Sequence, residues 1–562
     1  MSVRWGVRFS LIAMVLCGVI ACSSEDGGSE PPALLGLPED APMLARTYER
    51  TGDNPHETII TKANAANLIA KWQFRTGAPV AATPSVATID LPNEGPTRIV
   101  FVGSYDGKVY AIRADEGTQL WAYEVKPHEG VSYGIIASSA AIAEVDGEPR
   151  VFVGGGMTMY SLDAVSGAEI WQFDAGTGCQ DCDTNTERNE ILSSPAVLPE
   201  QDLVAFGMDV NDRAPGKGGF YGLSAKDGHL HWYFDVETGE TCRPDDDDDV
   251  RKFDGYHNAE QLGLEDDFFS TRGGCDFDRT ETACGNVWSP VSVDFGRELL
   301  YFATSNCDTD DDPQSAPPTP PMTTHNEALV AVDFDGEPVW SWRPREIDND
   351  DYAFGAAPNL FTATIEGEER EVVGIGNKDG SYYLLDRDGE NELTGEIEPY
   401  WTRNVVEGGA IGGITGTPAV MDGRIYFGVG IGEDVEAPQK PSAWALDAGT
   451  GEVVWSQEEA APFFGGTSAI PGVVFMGGID FSMRAIDADT GEILAKLPLG
   501  GLGFSQAVPV DGVVYMGSGF GAQGAGGTNI EAILARAPAG VWAFCIDGEA
   551  DCAPLPTPSP AP

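Results

Sequence analysis

Apolar residues along this chain come in short runs that each stop at glycine or another small residue. Thr97-Arg-Ile-Val-Phe-Val-Gly103, Arg150-Val-Phe-Val-Gly154, Glu298-Leu-Leu-Tyr-Phe-Ala303, Arg424-Ile-Tyr-Phe-Gly428 and Gly472-Val-Val-Phe-Met-Gly477 are the clearest. β-Branched and aromatic residues fill them and turn residues bound them, which predicts strands. Each run leads through a turn into a second pattern: a small residue, an aliphatic, a turn with Asp and Gly, then an apolar stop. Ser161-Leu-Asp-Ala-Val-Ser-Gly-Ala-Glu-Ile-Trp171 and Ala445-Leu-Asp-Ala-Gly-Thr-Gly-Glu-Val-Val-Trp455 are the best copies. Weaker copies end at Trp121, Trp232 and Trp340, and degenerate ones begin at Leu384, Ala485 and Ala543. The eight copies start between residues 111 and 543, a mean step of about 62 residues, which is room for a four-stranded blade with long loops. The expected fold is therefore all-β, an eight-bladed β-propeller.

Two fragments of the pattern complement each other. Leu68-Ile-Ala-Lys-Trp72-Gln-Phe ends like a copy but lacks its head, and Val541-Trp-Ala-Phe544 is a head without a tail. The N-terminal strand is expected to complete the last blade, closing the ring and removing a free edge. A short helix is expected over Thr61 to Ile69.

The termini and charge refine this picture. Arg4 and Arg8 precede an apolar run, Phe9 to Ala21, that is too short to span a bilayer. It ends in Val19-Ile20-Ala21-Cys22, which resembles a bacterial lipobox and implies cleavage before Cys22 and lipidation there. The expected organisation is a signal peptide at 1–21, a flexible tether at 22–44, the propeller at 45–552 and a Pro-rich tail at 553–562. Ser23 after the Cys points to an outer-membrane address in the cell envelope. The net charge of −56 makes nucleic acid and anionic lipid surfaces poor partners. An acidic insertion at 235–285, with Asp245 to Asp249, reads as a solvated loop. Neither it nor the acidic loop from Asp308 to Met322 has the spacing of an EF-hand.

Eight cysteines remain after Cys17 and Cys22, an even number in an exported chain, which suggests disulfides. Cys545 and Cys552 are placed to close a small loop. Cys242, Cys275 and Cys284 share the insertion and are candidates to staple it, with Cys307 a further partner. Cys179-Gln-Asp-Cys182 lacks the His of a c-type haem site, and the six scattered His residues argue against zinc.

The repeat resembles the tryptophan-docking repeat of quinoprotein alcohol dehydrogenases, propellers that hold pyrroloquinoline quinone (PQQ) and usually Ca²⁺ in a central funnel. Four stretches between the copies carry the resemblance. Trp288-Ser-Pro-Val-Ser-Val-Asp294 followed by Leu300-Tyr-Phe-Ala-Thr-Ser-Asn306 implies a quinone-stacking Trp288 and a Ca²⁺-ligating Asn306. Asp348-Asn-Asp-Asp351-Tyr352-Ala353 is similar to the acidic signature whose Asp is the catalytic base and also meets the metal; Asp348 is the aligned residue, with Asp350 and Asp351 as alternates. Asn377-Lys378-Asp-Gly-Ser-Tyr-Tyr-Leu-Leu-Asp386-Arg387 implies that Lys378 donates to the quinone oxygens. Val204-Ala-Phe-Gly-Met-Asp209-Val-Asn-Asp212 implies a carboxylate metal ligand at Asp212, or else Asp209, one methylene shorter than the family's Glu. The start around Trp72 and the end from Gly500 to Gly521 look most like the polyvinyl-alcohol-dehydrogenase branch.

The resemblance implies oxidation of a small or polymeric alcohol with PQQ and Ca²⁺. Lacking a haem motif, the chain implies a separate electron acceptor such as a cytochrome c. Two departures stand against it: the family's vicinal Cys pair is missing, with Ser138-Ser139 near its place, and the Glu ligand is an Asp. The alternatives are a non-catalytic propeller lipoprotein that scaffolds protein contacts in the envelope, and a carbohydrate- or calcium-binding surface adhesin leaning on the acidic loops.

Overall fold

A computed structural model describes residues 35–126, 136–175, 189–210, 218–244 except 237, 271–272, 275–276, 286–305, 325–345, 351–432, 438–519, 539–549 and 552. Eight antiparallel sheets follow one another along the chain. In blade one, Ser85–Leu91 is innermost, followed outward by Gly95–Ser104, Lys108–Arg113 and Gln119–Glu124. Blades two to seven span 141–174, 189–242, 292–342, 359–404, 419–457 and 468–498. Blade eight joins Val508–Val510, Val513–Ser518 and Gly540–Ile546 to Leu68–Arg75 as its outermost strand, paired from Leu68 opposite Ile546 to Arg75 opposite Gly540 with a register shift between Ala70 and Trp72. The expected eight-bladed ring and its closure by the N-terminal strand are both present. The expected helix before that strand is only a 3-10 turn, Ala65–Asn67, because strand pairing takes the chain from Leu68 onward.

The tryptophan repeat has a two-sided explanation. Within a blade, the small residue that heads each copy lies directly across from the tryptophan: Ala111 faces Trp121, Ser161 faces Trp171, Gly222 faces Trp232, Ala331 faces Trp340 and Ala445 faces Trp455. A small partner leaves room for the indole. The head at Ala543 finds its partner in Trp72, supplied from the other end of the chain. Between blades, the indole N–H donates to a carbonyl in the next blade's turn. The pairs are Trp72 to Ala114, Trp121 to Ala164, Trp171 to Ala225, Trp232 to Phe334, Trp340 to Arg387, Trp401 to Ala448 and Trp455 to Ala488, all at 2.9–3.2 Å. The turn glycine lies flat under the ring. At Gly167 (φ +73°) a Cβ would come within 2.6 Å of the Trp121 indole, so only glycine satisfies both backbone and contact.

Trp401 belongs to the copy that begins at Leu384. Residues inserted in its turn displace the tryptophan along the sequence, yet Leu384 and Trp401 still face each other. The seam between blades seven and eight alone lacks an indole, since Ala485 faces Ala495. Ile60, Ala65 and Leu68 fill that region of the core. Lys62 pairs with Asp487 at 2.5 Å, the Asp547 amide donates to the Asn67 carbonyl at 3.0 Å, and Cys545–Cys552 forms the expected disulfide beside it. Cys242 is also disulfide-bonded.

The segment before the first strand runs through the channel as a belt. Residues 41–44, assigned by sequence to a tether, are buried there. The belt meets each innermost strand at its second residue. The amides of Val86, Ile142, Val293, Leu360, Val420 and Ala469 donate to the carbonyls of Ala41, Pro42, Tyr48, Glu49, Thr51 and Gly52 at 2.7–3.0 Å. In the remaining two blades the Tyr48 hydroxyl donates to the Val197 carbonyl (2.7 Å) and the Asn54 side chain to the Pro509 carbonyl (2.9 Å). The inner strands expose a row of unpaired backbone groups to the axis, and the belt satisfies one in every blade.

Trp232, 2% exposed, tests the seams. Trp232→Phe, which keeps the bulk but orphans the Phe334 carbonyl, is expected to lose about 1–2 kcal/mol of stability in urea unfolding. Trp232→Ala is expected to lose about 3–5 kcal/mol.

Candidate active site

The Asp-Gly turns lie at one end of the ring. The loops between blades, and the turns joining the second and third strands of each blade, lie at the other end and carry the residues singled out in the sequence. Both ends of the belt lead away from that second end. Before the belt, the Asp40 carboxylate accepts from the Thr88 amide (2.7 Å). After it, the Glu57 carboxylate accepts from the amide of Gly512 (2.8 Å), in a turn at the Asp-Gly end. The belt thus floors a funnel that opens at the loop end.

A ring of hydrogen bonds lies just above the belt, two residues before the inner strands. The Thr83 amide donates to the Ser139 hydroxyl, the Ser139 amide to Ser194, the Ala357 amide to Thr417 and the Gln506 amide to Thr83, at 2.9–3.1 Å. Thr83-Pro84, Ser194-Pro195 and Thr417-Pro418 are the sequence trace of this second repeat, which the spacing of the tryptophans overshadowed. Ser138 and Ser139, which stand near the place of the missing Cys pair, are both committed to this level: the Ser138 hydroxyl donates to the Ser193 carbonyl at 2.9 Å.

Trp288 and Lys378 come together. Trp288 lies in the loop before blade four, and its indole donates to the Ser305 hydroxyl at 2.6 Å. Gly355 gives the ring its space: a Cβ there would come within 2.1 Å of it. Lys378 sits in the Asn377–Gly380 turn of blade five, with its ammonium 5.7 Å from the centre of the Trp288 ring. Gly413 approaches the Lys378 carbonyl so closely that a Cβ would stand 2.2 Å from it. The ammonium donates to Asp351 at 2.8 Å, the lysine side chain being 12% exposed and the carboxylate 45%. Asp351 has a φ of +55°, a conformation few side-chain-bearing residues adopt.

Asp351 is the one aspartate of the acidic run among the described residues, and it pairs with Lys378. Asp348, Asp350, Asp212, Asn306 and Cys22 lie outside the described residues. Asp209 is described and stands across from Glu190 on paired strands; Glu190 is buried, and no motif in the sequence marked it. Among the described residues there is no group of three His, Cys, Asp or Glu that would hold a metal, and no helix long and apolar enough to cross a membrane.

A charged cluster braces these loops. Arg345 binds both the fully buried Glu327 and Asp379, and lies 4.9 Å over the Tyr352 ring. Asp379 also accepts from the Tyr383 hydroxyl at 2.5 Å; burial, then Asp379, raises that phenol well above its ordinary pKa. Arg345 so ties the turn carrying Lys378 to Glu327, whose amide donates to the Ser305 carbonyl behind Trp288 (2.9 Å).

An aromatic face, a cation and a carboxylate in one cluster fit a flat conjugated ring that carries carbonyl oxygens. A family model described as the glucose/ethanol/alcohol dehydrogenase β-propeller domain, PQQ, matches residues 54–409. The chain belongs to this family. A model described as outer membrane protein assembly factor BamB matches residues 325–506. The chain is 29% identical over 236 residues to the polyvinylalcohol dehydrogenase of Sphingopyxis sp. (strain 113P3), covering 36% of this chain and 33% of that protein. It is 24% identical over 503 residues to the polyvinylalcohol dehydrogenase of Pseudomonas sp., covering 82% of this chain and 67% of that one. The matches thus span one third and two thirds of these relatives' lengths. The solved quinohemoprotein alcohol dehydrogenase of Comamonas testosteroni superposes with a TM-score of 0.65 over 92% of this chain and 82% of its own, at 19% identity, which is a likeness of fold.

On the same loop end, Asp480 binds Arg484 (2.6 Å) and Lys496 (2.6 Å). Burial alone would raise its carboxyl, but hydrogen bonds from Arg484, Lys496 and Ser482 outweigh that and hold it well below the usual carboxylate range. A depressed pKa contributes stability that is present above the unfolded-state value and lost as pH falls through the folded-state one. Asp480→Asn is expected to lower the melting temperature at pH 7, with the gap to wild type closing from about pH 4 downward. A pH series of thermal melts measures this, and a gap constant down to about pH 2 would show that the carboxylate contributes nothing.

Proposed function

We propose that this chain is a PQQ-dependent alcohol dehydrogenase of the cell envelope, anchored by lipid at Cys22. The observation that carries the reading is the convergence of Trp288, Lys378 and Asp351, from three different loops, at the open end of the funnel. The bound quinone would supply the two-electron acceptor for hydride from the alcohol carbon. Trp288, fixed by Ser305, offers the stacking face. Lys378 donates to the quinone oxygens and stabilises the negative charge that develops there. Asp348, the residue the resemblance aligns with the family's base, and Asp351, which pairs with Lys378, are the two candidates to take the alcohol's hydroxyl proton. Asp212, Asn306 and Asp348 are the residues proposed to hold Ca²⁺, a hard cation suited to carboxylate and amide oxygens. The relatives' names point to alcohols, polymeric ones included, as substrates. An electron acceptor such as a cytochrome c would reoxidise the quinone.

The second reading is a non-catalytic propeller scaffold, favoured by the assembly-factor match over 325–506. A scaffold needs none of the three converging side chains.

Purified protein titrated with PQQ and Ca²⁺ should take up the quinone and oxidise alcohols with an artificial dye acceptor. Asp351→Asn should keep the quinone and lose about 10²–10⁴-fold in turnover, the span of general-base help. Turnover that survives Asp351→Asn and collapses in Asp348→Asn moves the base to Asp348. No quinone uptake by the wild type leaves the scaffold.

A further inference from the structure

Arg50 lies at the middle of the belt and is fully buried. Its guanidinium donates to three backbone carbonyls: Val291 at 2.7 Å, Leu44 at 2.6 Å and Pro195 at 3.1 Å. No carboxylate among the described residues pairs with it. Burial lowers its pKa to about 10, with Tyr48 and Glu49 opposing, so it stays cationic at neutral pH. A buried charge whose hydrogen-bond partners are all carbonyls is costly, and its field is screened far less than that of a surface charge. The backbone here is also constrained, with a φ of +57°, and the Arg50 carbonyl accepts from the Asn359 side chain at 2.6 Å.

The direction of the side chain gives this charge a use. Val293 and Val197 mark the level of the belt, and Val291 and Pro195 lie two residues nearer the open end. The guanidinium therefore rises from the belt toward the funnel, ending three residues along the backbone from Trp288. Lys378, whose ammonium lies 5.7 Å from the centre of the Trp288 ring, already has a carboxylate partner in Asp351. Arg50 is thus a buried positive charge with no carboxylate ion pair among the described residues, bonded to the loop that carries Trp288, in a chain whose net charge of −56 would otherwise repel an anion.

We infer that Arg50 is an electrostatic positioning residue of the funnel floor, whose charge makes the Trp288 face select a planar aromatic polycarboxylate over its uncharged counterpart. It acts through space and through the Val291 carbonyl, not by contact with the ligand. The inference rests on the quinone reading above and names the charge class that the site prefers.

The test compares two probes that share a ring system, PQQ and its neutral trimethyl ester, by fluorescence titration of the full chain. Wild type should prefer the acid. In Arg50→Gln that preference should shrink by about tenfold, as expected for one lost buried charge. Loss of packing alone weakens both probes alike, so an unchanged acid-to-ester ratio in Arg50→Gln overturns the inference. If that variant does not fold, Arg50→Lys decides. A buried lysine sheds its proton at lower pH than arginine, so its acid preference should fall between about pH 7 and pH 9 while that of wild type holds. A ratio that stays level in Arg50→Lys overturns the inference. Wild type that binds both probes equally overturns it while sparing the quinone reading; wild type that binds neither overturns both.

Discussion

Eight sheets arranged around an axis each present an unpaired inner edge to the same narrow space, and that constraint organises the molecule. Buried amides and carbonyls left without partners would destabilise the ring at its centre. The chain answers with the belt, which meets each inner strand at its second residue. One turn of irregular backbone thereby serves eight edges. The same segment crosses the axis just below the inter-blade loops that carry Trp288 and Asp351.

The outer part of the ring depends on a different fit. Six of the seven docking tryptophans are opposed by a small residue in their own blade, Trp401 by Leu384, and all seven by a turn glycine in the next, so one indole connects three elements. The seam without an indole is the one where the chain's two ends meet. Ile60, Ala65 and Leu68 supply apolar area there, and an ion pair and a disulfide lie beside it. The joint formed last in sequence is thus held by contacts of a different kind from the seven others.

The candidate site grows out of this frame. Residues far apart in sequence meet because every inter-blade loop ends near the axis. Trp288, Asp351 and Lys378 come from the loop before blade four, the loop before blade five and a turn of blade five. Their spacing depends on packing one level deeper: Ser305 behind Trp288, Gly355 at its edge, Gly413 under Lys378, and Arg345 joining Glu327 to Asp379. Ser305 lies inside the Leu300–Asn306 stretch without being singled out there, and Gly355, Gly413 and Arg345 belong to no motif, which is why the sequence named the first three residues and none of the four supports.

The sequence by itself determined the ring. Its eight heads, seven of them small residues, its tryptophans and the complementary fragments at Trp72 and Ala543 specify eight blades and their closure, because those contacts recur once in every blade and so leave a repeated trace. It also marked Trp288 and Lys378 through local motifs. Only the tertiary structure decided the rest. The belt has no periodicity, since eight equivalent partners are reached by one irregular strand segment with positive φ at Ala45, Arg46 and Arg50. Trp401 was masked by an insertion that lengthens its turn without changing its partner. Asp351 forms an ion pair with a lysine 27 positions away, from a different loop. Contacts of that kind are set by where loops converge in space, which no spacing along the chain records.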